Sequence, residues 1–179
     1  MTPEIEFERL VDLYYPSLYR FALSLTRRES DACDLTQETF YIWARKGHQV
    51  RDNSKVKSWL FTTMHREYLQ KHRRVARFPE IELSDAEGEL PETPAISPAR
   101  LERQSLLNAL GRLDENFRAV VSLFYLEDCT YPQIAEILAI PLGTVKSRIS
   151  RGISEMQAML AEPATKTARS SLQREVACG

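Results

Sequence analysis

Residues 130–151 read Thr130-Tyr-Pro-Gln-Ile-Ala-Glu-Ile-Leu-Ala-Ile-Pro-Leu-Gly-Thr-Val-Lys-Ser-Arg-Ile-Ser-Arg151. Thr130 with Gln133 three residues on is a capping box, which satisfies two backbone groups at a helix start. Ile134, Ala135 and Leu138 follow at helical spacing. Ala139-Ile140-Pro141-Leu142-Gly143 is then a turn that no helix crosses intact, because Pro lacks an N–H and clashes with the turn before it. Thr144 is expected to cap a second, longer helix with Val145, Ile149, Ile153, Met156 and Leu160 facing inward. A short helix, a tight turn and a longer helix make a helix-turn-helix. The outward side of its second helix carries Thr144, Lys146, Ser147, Arg148, Ser150 and Arg151, with no acid between Glu136 and Glu155. Short donors and cations near a helix N-terminus suit phosphates, and Arg and Lys read guanine in a major groove. The bland alternative is a solvated face on a helical hairpin.

Upstream, Asp114 can cap a helix bearing Phe117, Val120, Val121 and Phe124. Ser97-Pro98 starts the helix before it, with Leu106, Leu110 and Leu113 as its stripe. Residues 78–99 carry six acids, no Lys or Arg, and Pro79, Pro91, Pro94 and Pro98. No regular element of any length fits there. Fully extended, those residues reach at most ~70 Å. Residues 1–77 form a second helical block with a net charge of +4, and ten of its basic residues fall between Arg45 and Arg77. Leu10, Tyr14, Leu18, Phe21 and Leu25 mark its first helix. Leu35, Thr39 and Ile42 mark a second, from about Asp31 to Lys46. Ser54 is the expected N-cap of a third, striped by Val56, Trp59, Leu60, Thr63, Met64 and Tyr68. The fold class is therefore all-α. Two small helical domains, residues 1–77 and 100–160, are joined by a flexible acidic linker, 78–99, and followed by a flexible tail, 161–179.

The whole chain has 179 residues and a net charge of -1, so the charge is segregated rather than large. At 43% apolar and 27% charged it reads as globular, not disordered. No apolar run approaches the ~18–20 residues of a membrane span, and the acidic start MTPEIEFERL is unlike a signal peptide, so a cytoplasmic location is expected. Cys33, Cys129 and Cys178 have neither disulfide nor zinc spacing, and the first two are expected to be small buried residues. His48, His65 and His72 lack a metal-ligand pattern, and there is no phosphate-binding Gly loop. No metal, cofactor or catalytic residue is expected, and the chain reads as a non-enzyme.

Asp34-Leu-Thr-Gln37-Glu38-Thr-Phe40-Tyr-Ile-Trp43 and Ser58-Trp59-Leu60-Phe61, followed by Lys71-His72-Arg73-Arg74, resemble domain 2 of bacterial sigma factors. Thr130 to Leu138 with Pro141 to Arg148 resembles their domain 4. A chain with no room for domain 3 resembles the extracytoplasmic-function (ECF) subfamily. The resemblance spans about residues 7–77 and 100–160. It implies binding to core RNA polymerase and promoter-specific initiation. Asp34, Gln37 and Glu38 would meet the β′ clamp helices, and their spacing puts them on one helical face. Lys55, Lys57, Trp59, Arg66, Lys71, Arg73 and Arg74 would hold the melted -10 element, with Phe61 and Tyr68 as further aromatics, because cations and ring faces bind single strands. The flipped base would lie near the loop at about 47–55. Thr144, Lys146, Ser147, Arg148, Ser150 and Arg151 would read the -35 element, and domain 4 would dock on the β flap. An anti-sigma factor is the further partner implied.

Three residues depart from the family pattern. Arg66 stands where many members have Asn, and Gln70 where they have Asp. Ala139 stands where the turn usually has Gly, at a cost of about 1 kcal/mol if its φ is positive. The competing reading is a stand-alone helix-turn-helix transcriptional regulator, which leaves the Asp34–Glu38 motif without a role. An anti-sigma antagonist would bind polymerase or sigma without directing initiation.

Overall fold

The computed structural model describes residues 3–77 and 105–161, apart from 107. The linker 78–99, the expected helix start at Ser97-Pro98, Cys178 and the tail after Ala161 lie outside the described residues. Those described are helical, with no strand among them. Helices α1 (Pro3–Thr26), α2 (Glu29–Lys46) and α3 (Val56–Arg77) form the first group. Residues 108–112 are helical, and α4 (Glu115–Tyr125), α5 (Tyr131–Leu138) and α6 (Leu142–Ala161) complete the second.

Leu18, Phe21 and Leu25 of α1, Leu35 of α2, and Leu60, Phe61 and Met64 of α3 are all at most 2% exposed. Each such side chain contributes about 1.5–3 kcal/mol on burial. The Phe21 and Phe61 rings meet 5.4 Å apart at the centre. Acids in the first turn of α2 (Glu29, Asp31) and bases in its last (Arg45, Lys46) oppose the helix dipole favourably. Val120, Leu123, Ile134 and Val145 of the second group belong to the same buried cluster as the core of the first. The two helical groups therefore pack on each other. A smaller cluster of Leu110, Leu113, Val121 and Met156 lies beside them.

Local signals land as expected at two caps. Asp114 accepts from Asn116 N at 2.9 Å, and both arms of the Thr130–Gln133 capping box are made. Two others shift. Ser54 does not cap α3: Asp52 accepts from Ser54 N at 2.9 Å and Oγ at 2.7 Å, closing a 3-10 turn over Asn53–Lys55 that leads into the helix. Thr144 does not cap α6, which already begins at Leu142; Val145 N donates to Pro141 O and Thr144 sits inside the first turn. Leu106 and Leu160, expected inside, are 43% and 48% exposed. Cys129 is buried but Cys33 only half so.

Ala139 ends α5 with φ 53 and ψ 46, the left-handed conformation. Its N–H and that of Ile140 satisfy carbonyls of Ala135 and Glu136, so the turn's hydrogen bonds hold a strained residue in place. Gly152 of α6 faces Val121 of α4 so closely that an added Cβ would lie 2.7 Å from a Val121 methyl. Its missing side chain sets how near these helices come.

Replacing Ala139 with Gly should relieve the strain and stabilise the fold by about 0.5–1 kcal/mol. The melting temperature checks it; a fall would mean that the freedom Gly adds to the unfolded chain wins. Burial of His65 on α3 pushes its pKa down to about 4. The folded state thus binds fewer protons than the unfolded one below pH 6.5, and stability should drop as pH falls from 6.5 towards 4. Glu127, whose pKa burial raises, works in the opposite sense. His65→Gln should flatten the acid slope of the melting temperature if His65 dominates it.

Candidate nucleic-acid interface

Helix α6 presents Lys146, Ser147, Ser150 and Arg151 to solvent, with Thr144 and Arg148 half-buried. Val145, Ile149 and Met156 anchor the opposite side. Ser147 Oγ donates to Thr144 O at 3.1 Å, so both hydroxyls lie on the first turn beside Lys146. Arg148 lies close enough to Asp114 to help hold that carboxyl below its usual range, after the hydrogen bonds from Asn116. The expected reading face is thus brought together, with Arg148 set nearest to α4.

Of the expected -10 residues, Lys55 ends the 3-10 turn and the other six lie on α3. Arg66, Lys71, Arg73 and Arg74 are exposed, while Trp59 is half-buried. Phe61 and Tyr68 are 0% and 5% exposed and offer no ring face to a base. Tyr68 instead hydrogen-bonds Glu115 of α4, and burial pushes its pKa up to about 12. Arg51, Asp52, Lys55, Trp59 and Arg66 border an open cleft of about 520 Å³, with Glu136 of α5 on its far wall. Trp43 meets Trp59 edge-on, the ring centres 5.1 Å apart. Gly47 lies against the Trp43 ring, where an added Cβ would come within 2.5 Å. Of residues 47–55, Gln49, Val50, Arg51, Asp52 and Lys55 border the cleft; Gln49, Arg51 and Glu136 were not among the candidate residues. Arg51 could have been found as one more base in the basic block. Glu136 could not, because its place depends on how two distant segments pack.

On α2, Asp34 and Gln37 are exposed and Glu38 is half-buried. Tyr41, one turn further along that face, is 56% exposed with the Arg45 guanidinium 5.6 Å over its ring. Tyr41 lies within the Asp34–Trp43 motif but was not among the candidate residues. Among the described residues, no group of His, Cys, Asp and Glu could hold a metal ion, and no helix is long and apolar enough to cross a membrane.

Residues 10–78 match the sigma-70 region 2 family, and residues 103–156 match sigma-70 region 4. The ECF RNA polymerase sigma factor SigM of Bacillus subtilis is 31% identical over 158 residues, 85% of this chain and 93% of that protein. The chain belongs to the ECF family of RNA polymerase sigma factors. As a sigma factor it directs promoter-specific transcription initiation. The ECF sigma factor SigL of Mycobacterium tuberculosis is 33% identical over 156 residues, 86% of this chain and 88% of its own. Among solved structures, the sigma factor RpoE of Bartonella quintana, in complex with the anti-sigma factor NepR, matches with a TM-score of 0.70 and 31% identity, over 88% of this chain and 99% of that one. CnrH, in complex with the cytosolic domain of CnrY, matches with a TM-score of 0.64 and 25% identity, over 89% of this chain and 91% of that one.

Gly47→Ala in this sigma factor should force Trp43 off Trp59, costing about 1–3 kcal/mol by overpacking. Trp43 and Trp59 are the chain's two tryptophans, so the emission spectrum checks it directly. Unchanged emission and stability would mean that the turn yields elsewhere.

Proposed function

We propose that this sigma factor divides its work between two domains. Residues 1–77 act as domain 2, binding core RNA polymerase and the melted -10 element. Residues 100–160 act as domain 4, reading the -35 element and docking on the β flap. Residues 78–99 are the linker between them and 161–179 the tail. Asp34, Gln37 and Glu38 meet the β′ clamp helices. Lys55, Lys57, Trp59, Arg66, Lys71, Arg73 and Arg74 hold the -10 strand, and the cleft beside Trp59 takes the flipped base. Thr144, Lys146, Ser147, Arg148, Ser150 and Arg151 contact the -35 duplex. The observation that carries this reading is the exposure of Lys146, Ser147, Ser150 and Arg151 on the second helix of a helix-turn-helix, in a chain whose α2 exposes Asp34 and Gln37.

The protein acts in the cytoplasm, without catalysing a reaction of its own. An anti-sigma factor restrains it, a reading that the complexes of RpoE with NepR and of CnrH with CnrY support.

Replacing Arg148 and Arg151 with Ala should weaken -35-dependent transcription at least about tenfold while sparing core binding, since each good base contact is worth about 1–3 kcal/mol. Asp34→Lys with Glu38→Lys should do the reverse and lower co-elution with core polymerase first. In vitro transcription and gel filtration with purified core separate the two effects. Equal loss of both activities in either variant would mean misfolding or a wrong division of labour.

A further inference from the structure

One wall of the cleft is a stripe of α3. Trp59, Thr62 and Arg66 all border it, and their spacing of three and four residues puts them on one helical face. The seven residues from Trp59 to Arg66 advance the helix by roughly 10 Å. Cα–Cβ bonds tilt towards a helix's N-terminus, so the Arg66 side chain leans back towards Thr62 and Trp59. Trp59 is braced edge-on by Trp43, and Arg66 is exposed. A flat ring and a fork of N–H groups thus follow one another along a rigid element.

Hydrogen-bonding capacity decides what this pair can take. Asp52 Oδ1 already accepts from Ser54 N and Oγ. The Glu136 carboxylate lies 3.6 Å from Lys55 Nζ. Arg66 makes no hydrogen bond or ion pair among the described residues. Its guanidinium offers five donors and no acceptor, whereas the Asn that many family members carry here offers both. Arg66 therefore favours a base with two adjacent acceptors on one edge. Guanine has them, O6 and N7, and its two fused rings cover more of Trp59 than a pyrimidine would. Adenine sets an N6 donor beside N7, cytosine presents its N4 donor, and thymine offers O4 next to a methyl group.

We infer that Arg66 sets the base preference of the -10 contact, selecting a guanine that stacks on Trp59 and presents O6 and N7 to the guanidinium. The inference rests on the placing of the -10 strand on α3 given under Proposed function. Arg in place of Asn thus changes which promoters the chain opens, with the -35 reading helix left as it is.

The test uses holoenzyme assembled from the full chain and core RNA polymerase. The probes are fluorescent 12-nucleotide oligo-dT strands with one central dG, dA or dC, or with none, read by anisotropy against core polymerase alone. The dG strand should bind about fivefold tighter, or better, than the dA and dC strands. Replacing dG by 7-deaza-dG, which lacks the N7 acceptor, should erase most of that preference. Arg66→Lys keeps the charge but loses the fork, and should bring the dG-to-dA ratio below about twofold. Arg66→Asn should do the same. The ratio should persist in Arg51→Lys, which alters the other guanidinium of the cleft. No dG preference in the unaltered holoenzyme, a preference that survives 7-deaza-dG or Arg66→Lys, or one that Arg51→Lys removes, would each overturn the assignment to Arg66. Lys71→Gln/Arg74→Gln, at two exposed cations of α3, separates this from the -10 reading itself. If that variant leaves all four affinities as they were, the strand does not lie on α3, and the -10 assignment falls together with the inference. If it weakens all four alike while no dG preference exists, the -10 assignment stands and only the guanine selection falls.

Discussion

A guanidinium stripped of water has to find acceptors, and Arg118 finds them at the end of another helix. It is 9% exposed, donates to Leu113 O at 3.0 Å, and reaches the Ser24 and Leu25 carbonyls at 3.4 and 3.2 Å. Those carbonyls lie in the last turn of α1, where helical partners run out and the dipole is negative. One buried cation thus caps α1 and fastens α4 to it. Removing it would orphan carbonyls on one side and leave a hole on the other, a change of the kind that costs most in a core. Arg27, held at φ 62 just past α1, shows how sharply the chain must turn away from that junction.

Polar groups around this anchor share a pattern. Tyr68 serves Glu115, and Arg20 and Lys57 both serve residue 127. Ser122 Oγ, buried on α4, finds no partner in the structure. The apolar core supplies most of the cohesion, while these directed contacts fix the angle at which the two groups meet. A charged junction of this kind, partly exposed at Arg20, Lys55 and Glu136, is weaker than an apolar one and screened by salt.

What was legible in the sequence was local. The Thr130–Gln133 box, the Asp114 cap, the Pro141 turn and the helical stripes each depend on neighbours within a few residues. The misplaced caps, Ser54 and Thr144, lie a residue or two from the true helix starts, where several short polar side chains compete. Phe61 and Tyr68 were open to two readings because a ring that packs and a ring that stacks on a base look alike in a sequence. The junction was invisible for a different reason. No motif marks Glu127 or Glu136 for a contact, and the long acidic linker suggested separated domains. Nothing in a linear pattern brings residue 118 to residue 25.

Tying Lys57 to the Glu127 carbonyl also bears on where the free protein spends its time in a cell. A genome offers on the order of a million or more anonymous stretches of duplex, each attractive to unpaired cations. A chain that met them with every basic side chain bare would be diluted over that excess. Lys57, held by that carbonyl, takes one cation out of the competition.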